Sequence, residues 1–279
     1  MSIIKTALKH IVVAPAATVS SIFDSSKRRR DKLLAPITRR EFIDSIPKLK
    51  STLELGPFEN PQIVGKGATY FDVLDQEGLR TRAVKEGRDP AGCPVIDFVS
   101  DSGDLTIIPG PFDAVFSAHV VEHQHDLIRH LVDVDRLLKP GGRYYLVIPD
   151  KRYCFDHFLQ TSSIDDVIQV ADKGPSMNIQ RAIRDSYHNL AHSVAMKHWL
   201  GLHGQRVAHR GMDKADCEPA VEKYLAGNYH DVHAFHFTPS SFRSILDGLY
   251  LSKRSPLRSV AVYDTRFSAL EFYAVLEKP

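Results

Sequence analysis

The sequence predicts an α/β protein with a mainly parallel sheet and an added helical part. Short β-like runs alternate with helix-like segments over residues 51–150, and the same texture returns over residues 237–279. Strands that alternate with helices form βαβ units, which place successive strands parallel in one sheet. Residues 151–236 are rich in His and aromatic side chains and lack a clear strand, which indicates a mostly helical insertion or lid.

Five runs in residues 51–150 have the composition of strands, and a helix is predicted between the fourth and the fifth. The helix, Asp126–Leu138, has aliphatic side chains at helical spacing and ends at Lys139-Pro140-Gly141-Gly142, a strong stop signal. The predicted strands are Thr52–Leu55, Thr69–Val73, Val95–Val99, Phe112–Ser117 and Tyr144–Ile148.

The segments that flank this core are predicted less regularly. Residues 1–50 form an arm with a helix around Arg39–Ser45, stopped before Pro47. After the insertion, Thr238 as N-cap and Pro239 at the first helical position begin a helix through Leu249. The remaining predicted elements are insertion helices near Ile179–Leu200 and Glu218–Leu225 and strands at Leu257–Tyr263 and Glu271–Leu276.

Composition excludes several classes of protein. The 279 residues contain 36 Lys plus Arg and 34 Asp plus Glu, a net charge of +2 that argues against a dedicated nucleic-acid binder. The 3 Cys form no CxxC pair, which indicates a reducing, cytoplasmic compartment. The longest apolar run, Ile11–Phe23, is broken by Pro15 and is too short for a membrane span. The basic arm, with Arg28–Arg30, allows a weak contact with a membrane surface.

Acidic residues and a glycine follow the predicted strands where a parallel sheet binds its ligands. The run Leu53–Asn60 ends a strand with Glu54 and then Gly56, a tight turn that lets backbone approach a ligand. Asp72 ends the next strand, about twenty residues on, where an acid can bind both hydroxyls of a ribose. Three further segments follow in order, namely Asp97–Leu105, Phe112–His123 and Leu137–Arg143.

These five segments in this order resemble the class I S-adenosylmethionine-dependent methyltransferases. The resemblance covers residues 51–150 and extends to 237–279; it implies a Rossmann-like core with helices on both faces and an antiparallel last strand. The segments Ile148–Tyr153 and His236–Pro239 are similar to a bacterial branch associated with glycan biosynthesis. The implied function is transfer of a methyl group to a small molecule or glycan, with oxygen as the acceptor atom.

The resemblance also implies roles for individual residues. Glu54, Gly56 and Pro57 correspond to the motif beside the methionine part of the cofactor, and Asp72 to the acid that binds the ribose. The other implied cofactor contacts are Asp101 and Ser102 at the adenine and Ser117 and His119 at the methionine portion.

One position departs from the family pattern. The first motif usually continues with two more glycines, whereas Phe58 and Asn60 or Pro61 occupy this stretch. Either the loop takes another path, or the Phe58 side chain weakens or blocks cofactor binding. In the second case the protein is a non-catalytic, partner-binding relative. The incomplete glycine fingerprint also argues against a dinucleotide dehydrogenase.

Methyl transfer to a hydroxyl benefits from a base of near-neutral pKa, for which His is the usual residue. His119 and His123 follow the fourth strand four residues apart, and Asp150 and His157 follow the fifth. All four are candidates, and the sequence does not choose among them.

The insertion raises a third hypothesis, a metal-dependent enzyme, although no residue is assigned as a metal ligand. His188 and His192 are spaced i and i+4, and His230, His233 and His236 recur every third residue around Asp231. Such spacings can gather imidazoles around zinc, but no HExxH motif is present. The alternative is a lid whose aromatic residues, Trp199, Tyr187 and Phe235, line a sugar-binding pocket.

Overall fold

A single seven-stranded sheet organises the computed structural model, which describes residues 33–47, 50–209 and 211–279. The strand order is β3-β2-β1-β4-β5-β7-β6. Neighbours from β3 to β5 are parallel, whereas β7 runs antiparallel to both β5 and β6. The predicted fold class is therefore confirmed. The strands are β1 (Thr52–Leu55), β2 (Ala68–Asp72), β3 (Phe98–Val99), β4 (Phe112–Ala118), β5 (Leu138–Pro149), β6 (Arg258–Val262) and β7 (Glu271–Glu277).

The helices of the described residues agree with the predicted ones in the core and differ in the insertion. They are α1 (Arg39–Asp44), α2 (Gln76–Lys85), α3 (Leu127–Leu137), α4 (Ile164–Lys173), α5 (Ser176–His188), α6 (Ala195–Trp199), α7 (Cys217–Leu225) and α8 (Pro239–Leu251). Thr238 caps α8 through a capping box with Ser241, and Pro239 is its first residue, as predicted. The single helix predicted near Ile179–Leu200 is wrong, because α5 ends at His188 and α6 begins at Ala195.

Two strands, β3 and β5, differ in length from their predicted bounds by three residues or more. β3 contains only Phe98 and Val99, whereas the predicted strand is Val95–Val99. Val95 is exposed, and only the end of β2 pairs with this strand. β5 begins at Leu138 rather than Tyr144, so the stop signal after α3 leads directly into the strand. Lys139 Nζ fixes this entry with a 2.6 Å contact to Asp113 Oδ1 at the start of β4.

Both faces of the sheet are covered by helices of the described chain. One face packs against α3, α4, α5, α7 and α8 in the larger core. On the other face α1 inserts Phe42, which is 0% exposed and stacks on Tyr273 with ring centroids 4.8 Å apart. Leu34 also forms a parallel bridge with Tyr263. Residues 33–47 therefore belong to the core rather than to a separate arm.

The loop from β1 to β2 replaces the helix that usually follows the first strand of such a sheet. Residues 56–67, all of which are described, contain no helix. The proposed membrane contact of the arm lies mostly in residues 1–32, outside the described residues. Among the described residues, no helix has the length and hydropathy that a membrane span requires.

Candidate cofactor and acceptor site

The carboxyl ends of β1, β2 and β4 lie side by side. Leu55 pairs with Phe71 on one side and with Ser117 on the other, and Asp72 pairs with Val99. Ligands of open α/β sheets bind at this edge, in the crevice outside the strand ends. The predicted cofactor residues are therefore brought to one edge, although their side chains do not all face the crevice.

Gly56 makes the turn that leaves β1. Its φ of +66° is unfavourable for residues with a side chain, and a Cβ built on it would lie 2.8 Å from Cγ2 of Val120. The turn therefore brings the backbone of Gly56 close to the segment that follows β4. Pro57, the next residue, accepts a hydrogen bond from Asn60 N (3.2 Å) in the following turn.

Glu54 holds the loop that follows this turn. Its side chain is buried, and its carboxylate accepts hydrogen bonds from Gln62 N at 3.0 Å and Ile63 N at 2.8 Å. Burial raises the pKa of Glu54 to about 7, against the opposing effect of these backbone donors. The loop after β1 therefore follows a different path from that of a glycine-rich loop, and Glu54 anchors it.

Asp72 is the acid at the end of β2. It is 8% exposed and accepts a hydrogen bond from Leu74 N at 3.2 Å, while burial raises its pKa. Across the edge, Asp101 is exposed in the turn after β3, where the Ser102 hydroxyl lies 3.1 Å from that of Ser100. These residues could contact the ribose and the adenine of a nucleoside.

Ser117 does not offer its side chain to this crevice. Its hydroxyl is 2.7 Å from the Tyr144 hydroxyl, which in turn lies 3.0 Å from Nε2 of His130. All three side chains are buried beneath the sheet. Strand alternation therefore turns the Ser117 side chain toward the core and away from the predicted contact with the methionine portion.

The ring of Phe58 packs against α2. Phe58 has a φ of +47° and lies against the cluster of Leu79, Ala83 and Cys93. The guanidinium groups of Arg82 and Arg88 lie 5.1 and 5.4 Å from the ring centroid. The aromatic side chain therefore packs beside α2, with Arg82 over its face.

A segment of the insertion contacts α2, the helix that follows Asp72, and the segment after β4. Asp231 Oδ2 pairs with Arg82 Nη2 at 3.0 Å, and Tyr229 stacks on His125 with centroids 5.5 Å apart. Besides burial, which raises the pKa of Asp72, the charge of Arg82 lowers it and the charge of Asp231 raises it. Sequence reasoning did not foresee these contacts.

Glu122 is the centre of a histidine cluster after β4. It is 0% exposed, and its Oε1 lies 3.6 Å from His119 Nδ1, 3.9 Å from His123 Nε2 and 3.8 Å from His233 Nε2. Neither carboxylate oxygen of Glu122 has a hydrogen-bond partner. His233 comes from the insertion, so two distant parts of the chain build the cluster.

Further carboxylates contact the outer side of each imidazole. His119, with a φ of +55°, places Nε2 3.0 Å from Glu271 Oε2, and His123 Nδ1 lies 2.8 Å from Asp231 Oδ1. His233 Nδ1 lies 2.6 Å from Asp156 Oδ2.

The pKa values of His233 and Asp156 depend on their burial and on their opposite charges. Burial alone would lower the pKa of His233, but the negative charges of Asp156 and then Glu122 raise it to about 9. Burial alone would raise the pKa of Asp156, but the charge and the hydrogen bond of His233 lower it to about 2.

Asp150 and His157 are placed for structural roles. Asp150 is fully buried and accepts hydrogen bonds from Arg152 Nε at 2.9 Å and from the Thr265 hydroxyl at 2.6 Å. These contacts occupy its carboxylate, so Asp150 is not available as a base. His157 Nδ1 lies 2.8 Å from Arg152 O, and its ring stacks on His203.

His188 and His192, four residues apart in the insertion, do not lie on one helix in the structure. His188 ends α5, whereas His192 lies beyond it with Nε2 2.8 Å from Leu202 O, so the two share no helix face. Among the described residues, two groups have three possible ligand atoms within 4.8 Å of one another, namely Glu122, His123 and His233, and His157, His198 and His203.

The aromatic residues predicted to line an acceptor pocket separate into two sets. Tyr187 and Phe235 are buried in the larger core. Trp199 instead stacks on Tyr153 at 3.8 Å and contacts the ring of Phe267, which is 60% exposed.

A glycine turn after β1 and an acid at the tip of β2, in a sheet of this order, are typical of Rossmann-like proteins that bind an adenosyl cofactor. A family model described as a methyltransferase domain matches residues 67–146. The match supports the predicted class, a methyltransferase that uses S-adenosylmethionine. It spans β2 to the middle of β5.

Solved structures resemble the chain weakly, and no curated protein matches its sequence. A structure from Listeria monocytogenes, provisionally described as an S-adenosylmethionine-dependent methyltransferase, has 12% identity and a TM-score of 0.43 over 86% of this chain and 97% of that one. An S-adenosylmethionine-dependent methyltransferase from Aquifex aeolicus has 12% identity and a TM-score of 0.39 over 93% and 98%. A structure from Rhodobacter sphaeroides, provisionally described as a zinc-dependent alcohol dehydrogenase, has 14% identity and a TM-score of 0.43 over 88% and 92%.

Proposed function

We propose that the protein transfers a methyl group from S-adenosylmethionine to a hydroxyl of a small molecule or glycan. The observation that carries the proposal is the juxtaposition of the Gly56 turn with the buried Asp72 at neighbouring strand tips. Asp72 lies within the segment that matches the methyltransferase family.

Different residues at this edge of the sheet would bind different parts of the cofactor. Backbone groups at Gly56 and Pro57 approach its methionine part, the Asp72 carboxylate binds the ribose hydroxyls, and Asp101 with Ser102 faces the adenine. The bound cofactor supplies a methyl group on a positively charged sulfur. The carboxylate of Glu271, at the start of β7, favours that positive charge on electrostatic grounds.

His119 is the best placed of the four candidate bases. It follows β4 directly, its side chain is 34% exposed, and Glu271 orients its ring through Nε2. Asp150 and His157 are engaged elsewhere. His123, like His119, lies between two carboxylates, but its side chain is only 22% exposed. Alignment of the two reactants would supply most of the rate enhancement, because the leaving group of the displacement is good.

Two features support a glycan as the acceptor. The segments similar to the glycan-associated branch lie together, since Asp150 forms a bridge with Phe237 and Lys151 N donates to Phe237 O at 2.9 Å. The stacked rings of Tyr153 and Trp199, with the exposed Phe267 edge-on to Trp199, offer aromatic side chains against which a sugar ring could pack.

The direct test is calorimetry with S-adenosylmethionine, followed by detection of methyl transfer to hydroxylated acceptors. We expect Asp72→Asn to lose cofactor binding by at least ~10-fold, since charged hydrogen bonds contribute ~1.5–3 kcal/mol. Asp165→Asn, the same change on the surface of α4, serves as the matched control. Equal affinity of Asp72→Asn and the control would remove the ribose assignment.

A non-catalytic binding module is the second candidate, favoured by the contact of Asp231 in the insertion with Arg82 on α2, the helix that follows Asp72. Because the Arg82–Asp231 pair is half-exposed, its contribution is at most ~1 kcal/mol, which a cofactor could displace. Absence of binding at millimolar S-adenosylmethionine would favour this candidate.

A further inference from the structure

We propose that Glu122, His123 and His233 form a binding site for one divalent transition-metal ion, with Zn²⁺ as the probe of choice. The three residues present one carboxylate oxygen and two imidazole nitrogens within 4.8 Å of one another. One carboxylate with two histidines is an established ligand set for zinc and for other first-row divalent metals.

The distances require only a small contraction. Glu122 Oε1 lies 3.9 Å from His123 Nε2 and 3.8 Å from His233 Nε2. Ligands about 2.0–2.1 Å from a tetrahedral zinc ion are separated by roughly 3.3 Å. Each Glu122–histidine distance therefore has to close by about half an ångström, and the distance between the two imidazole nitrogens, at most 4.8 Å, by up to about 1.5 Å, which side-chain rotation can supply.

The state of the Glu122 carboxylate points independently to a missing ligand. It is 0% exposed, and neither of its oxygens has a hydrogen-bond partner. Among the residues that the structure describes, its ion contacts are with histidines alone, whereas Glu271 and Asp231 also pair with arginines. A buried carboxylate without hydrogen bonds is costly, and a bound cation removes that cost.

The outer contact of His233 matches that of a metal-ligating histidine, and His123 has a carboxylate near the same nitrogen without a hydrogen bond to it. His123 Nδ1 lies 2.8 Å from Asp231, and His233 Nδ1 lies 2.6 Å from Asp156. When an ion displaces the proton at Nε2, a carboxylate hydrogen-bonded to Nδ1, as in His233, keeps the remaining proton on Nδ1, as is usual in protein metal sites. In each case Nε2 is the atom that faces Glu122.

An ion at this position would have a route to solvent and an open coordination site. The His123 side chain is 22% exposed, and that of His119 is 34% exposed. Provided that the proposed function holds, the open position lies at the end of β4, where the hydroxyl of the acceptor could bind and lose its proton more easily.

The other histidine group is less suited to one ion. The rings of His157 and His203 stack face to face, with centroids 3.7 Å apart and planes at 13°. Stacked rings cannot both direct a nitrogen at the same ion without separating, and this group contains no carboxylate. His203 therefore provides a control residue in a second cluster.

The test uses the full chain, stripped with a chelator and then titrated with Zn²⁺ and, separately, with Co²⁺. We expect one equivalent of tight uptake and a visible Co²⁺ spectrum of low coordination number. Glu122→Gln and His233→Gln should each lower the affinity by ~100-fold or more, and Asp156→Asn by ~10–100-fold. His203→Gln should bind like the wild type.

Each outcome decides the proposal. Uptake of less than one equivalent by the wild type, or loss of uptake in His203→Gln with retention in His233→Gln, overturns it. If Glu122→Gln does not fold by circular dichroism, the Co²⁺ spectra of the wild type and Asp156→Asn decide. Calorimetry with S-adenosylmethionine on the same preparations separates the two proposals: cofactor binding without metal uptake removes only the metal site, and metal uptake without cofactor binding removes only the proposed function.

Discussion

Two buried carboxylates at neighbouring strand ends have different partners, and this difference separates their roles. Glu54 accepts two backbone N–H groups from the loop, whereas Asp72 accepts one from Leu74. Burial raises the pKa of both. Glu54 is thus an anchor of the loop, and Asp72 keeps acceptor capacity for a ligand.

The protonation of Glu54 makes stability depend on pH. Its pKa is raised from 4.5 to about 7 in the folded chain, so the folded state holds a proton that the unfolded state releases between these values. The free energy of unfolding should therefore fall as pH rises from 4.5 to 7, by at most ~3.5 kcal/mol at about 1.4 kcal/mol per pKa unit. Glu54→Gln should flatten this slope.

Urea unfolding at pH 5 and pH 7.5, followed by circular dichroism, measures the effect. The exposed Glu77→Gln is the control and should keep the slope of the wild type. An equal slope in Glu54→Gln and the wild type would show that Glu54 titrates normally.

At the scale of elements, the turn after β1 and the segment after β4 are interlocked through Gly56 and Val120. Gly56→Ala should combine the left-handed backbone cost of about 1–2 kcal/mol with a steric clash, and should weaken cofactor binding. Gly87, with a φ of +72° and no atom within 4 Å of a built Cβ, gives a matched control.

Thermal unfolding and calorimetry on Gly56→Ala and Gly87→Ala separate the two costs. We expect both variants to lose stability and only Gly56→Ala to lose cofactor affinity. Cofactor affinity equal in the two variants would mean that the close approach at Gly56 has no part in binding.

At the scale of the whole molecule, the short helix α1 completes one face of the sheet. Phe42 contacts the rings of Tyr145, Tyr263 and Tyr273. Phe42→Ala should cost about 3–5 kcal/mol, as for other buried aromatic truncations. Urea unfolding measures this cost, with the exposed Phe267→Ala as control; a loss below ~1 kcal/mol would show that α1 is dispensable to the core.

The insertion acts on the whole molecule by bringing residues to the sheet edge. His233, Asp231 and Asp156 reach Glu122 and His123 from positions far along the chain. No local pattern marks Asp156, Glu122 or Glu271 as partners, because their proximity depends on how the insertion folds back over β4.

Local patterns in the sequence were enough to predict the alternating core, the cap at Thr238, the turn at Gly56 and the acid at Asp72. Each of these features depends on a few consecutive residues. Side-chain direction and long-range contacts required the tertiary structure. Alternation from the buried Val115 would have placed Ser117 on the core side, but the face that each strand buries is fixed only by its neighbours. The histidine cluster around Glu122 likewise exists only after the insertion packs against the end of β4, because hydrophobic burial over the whole chain decides that contact.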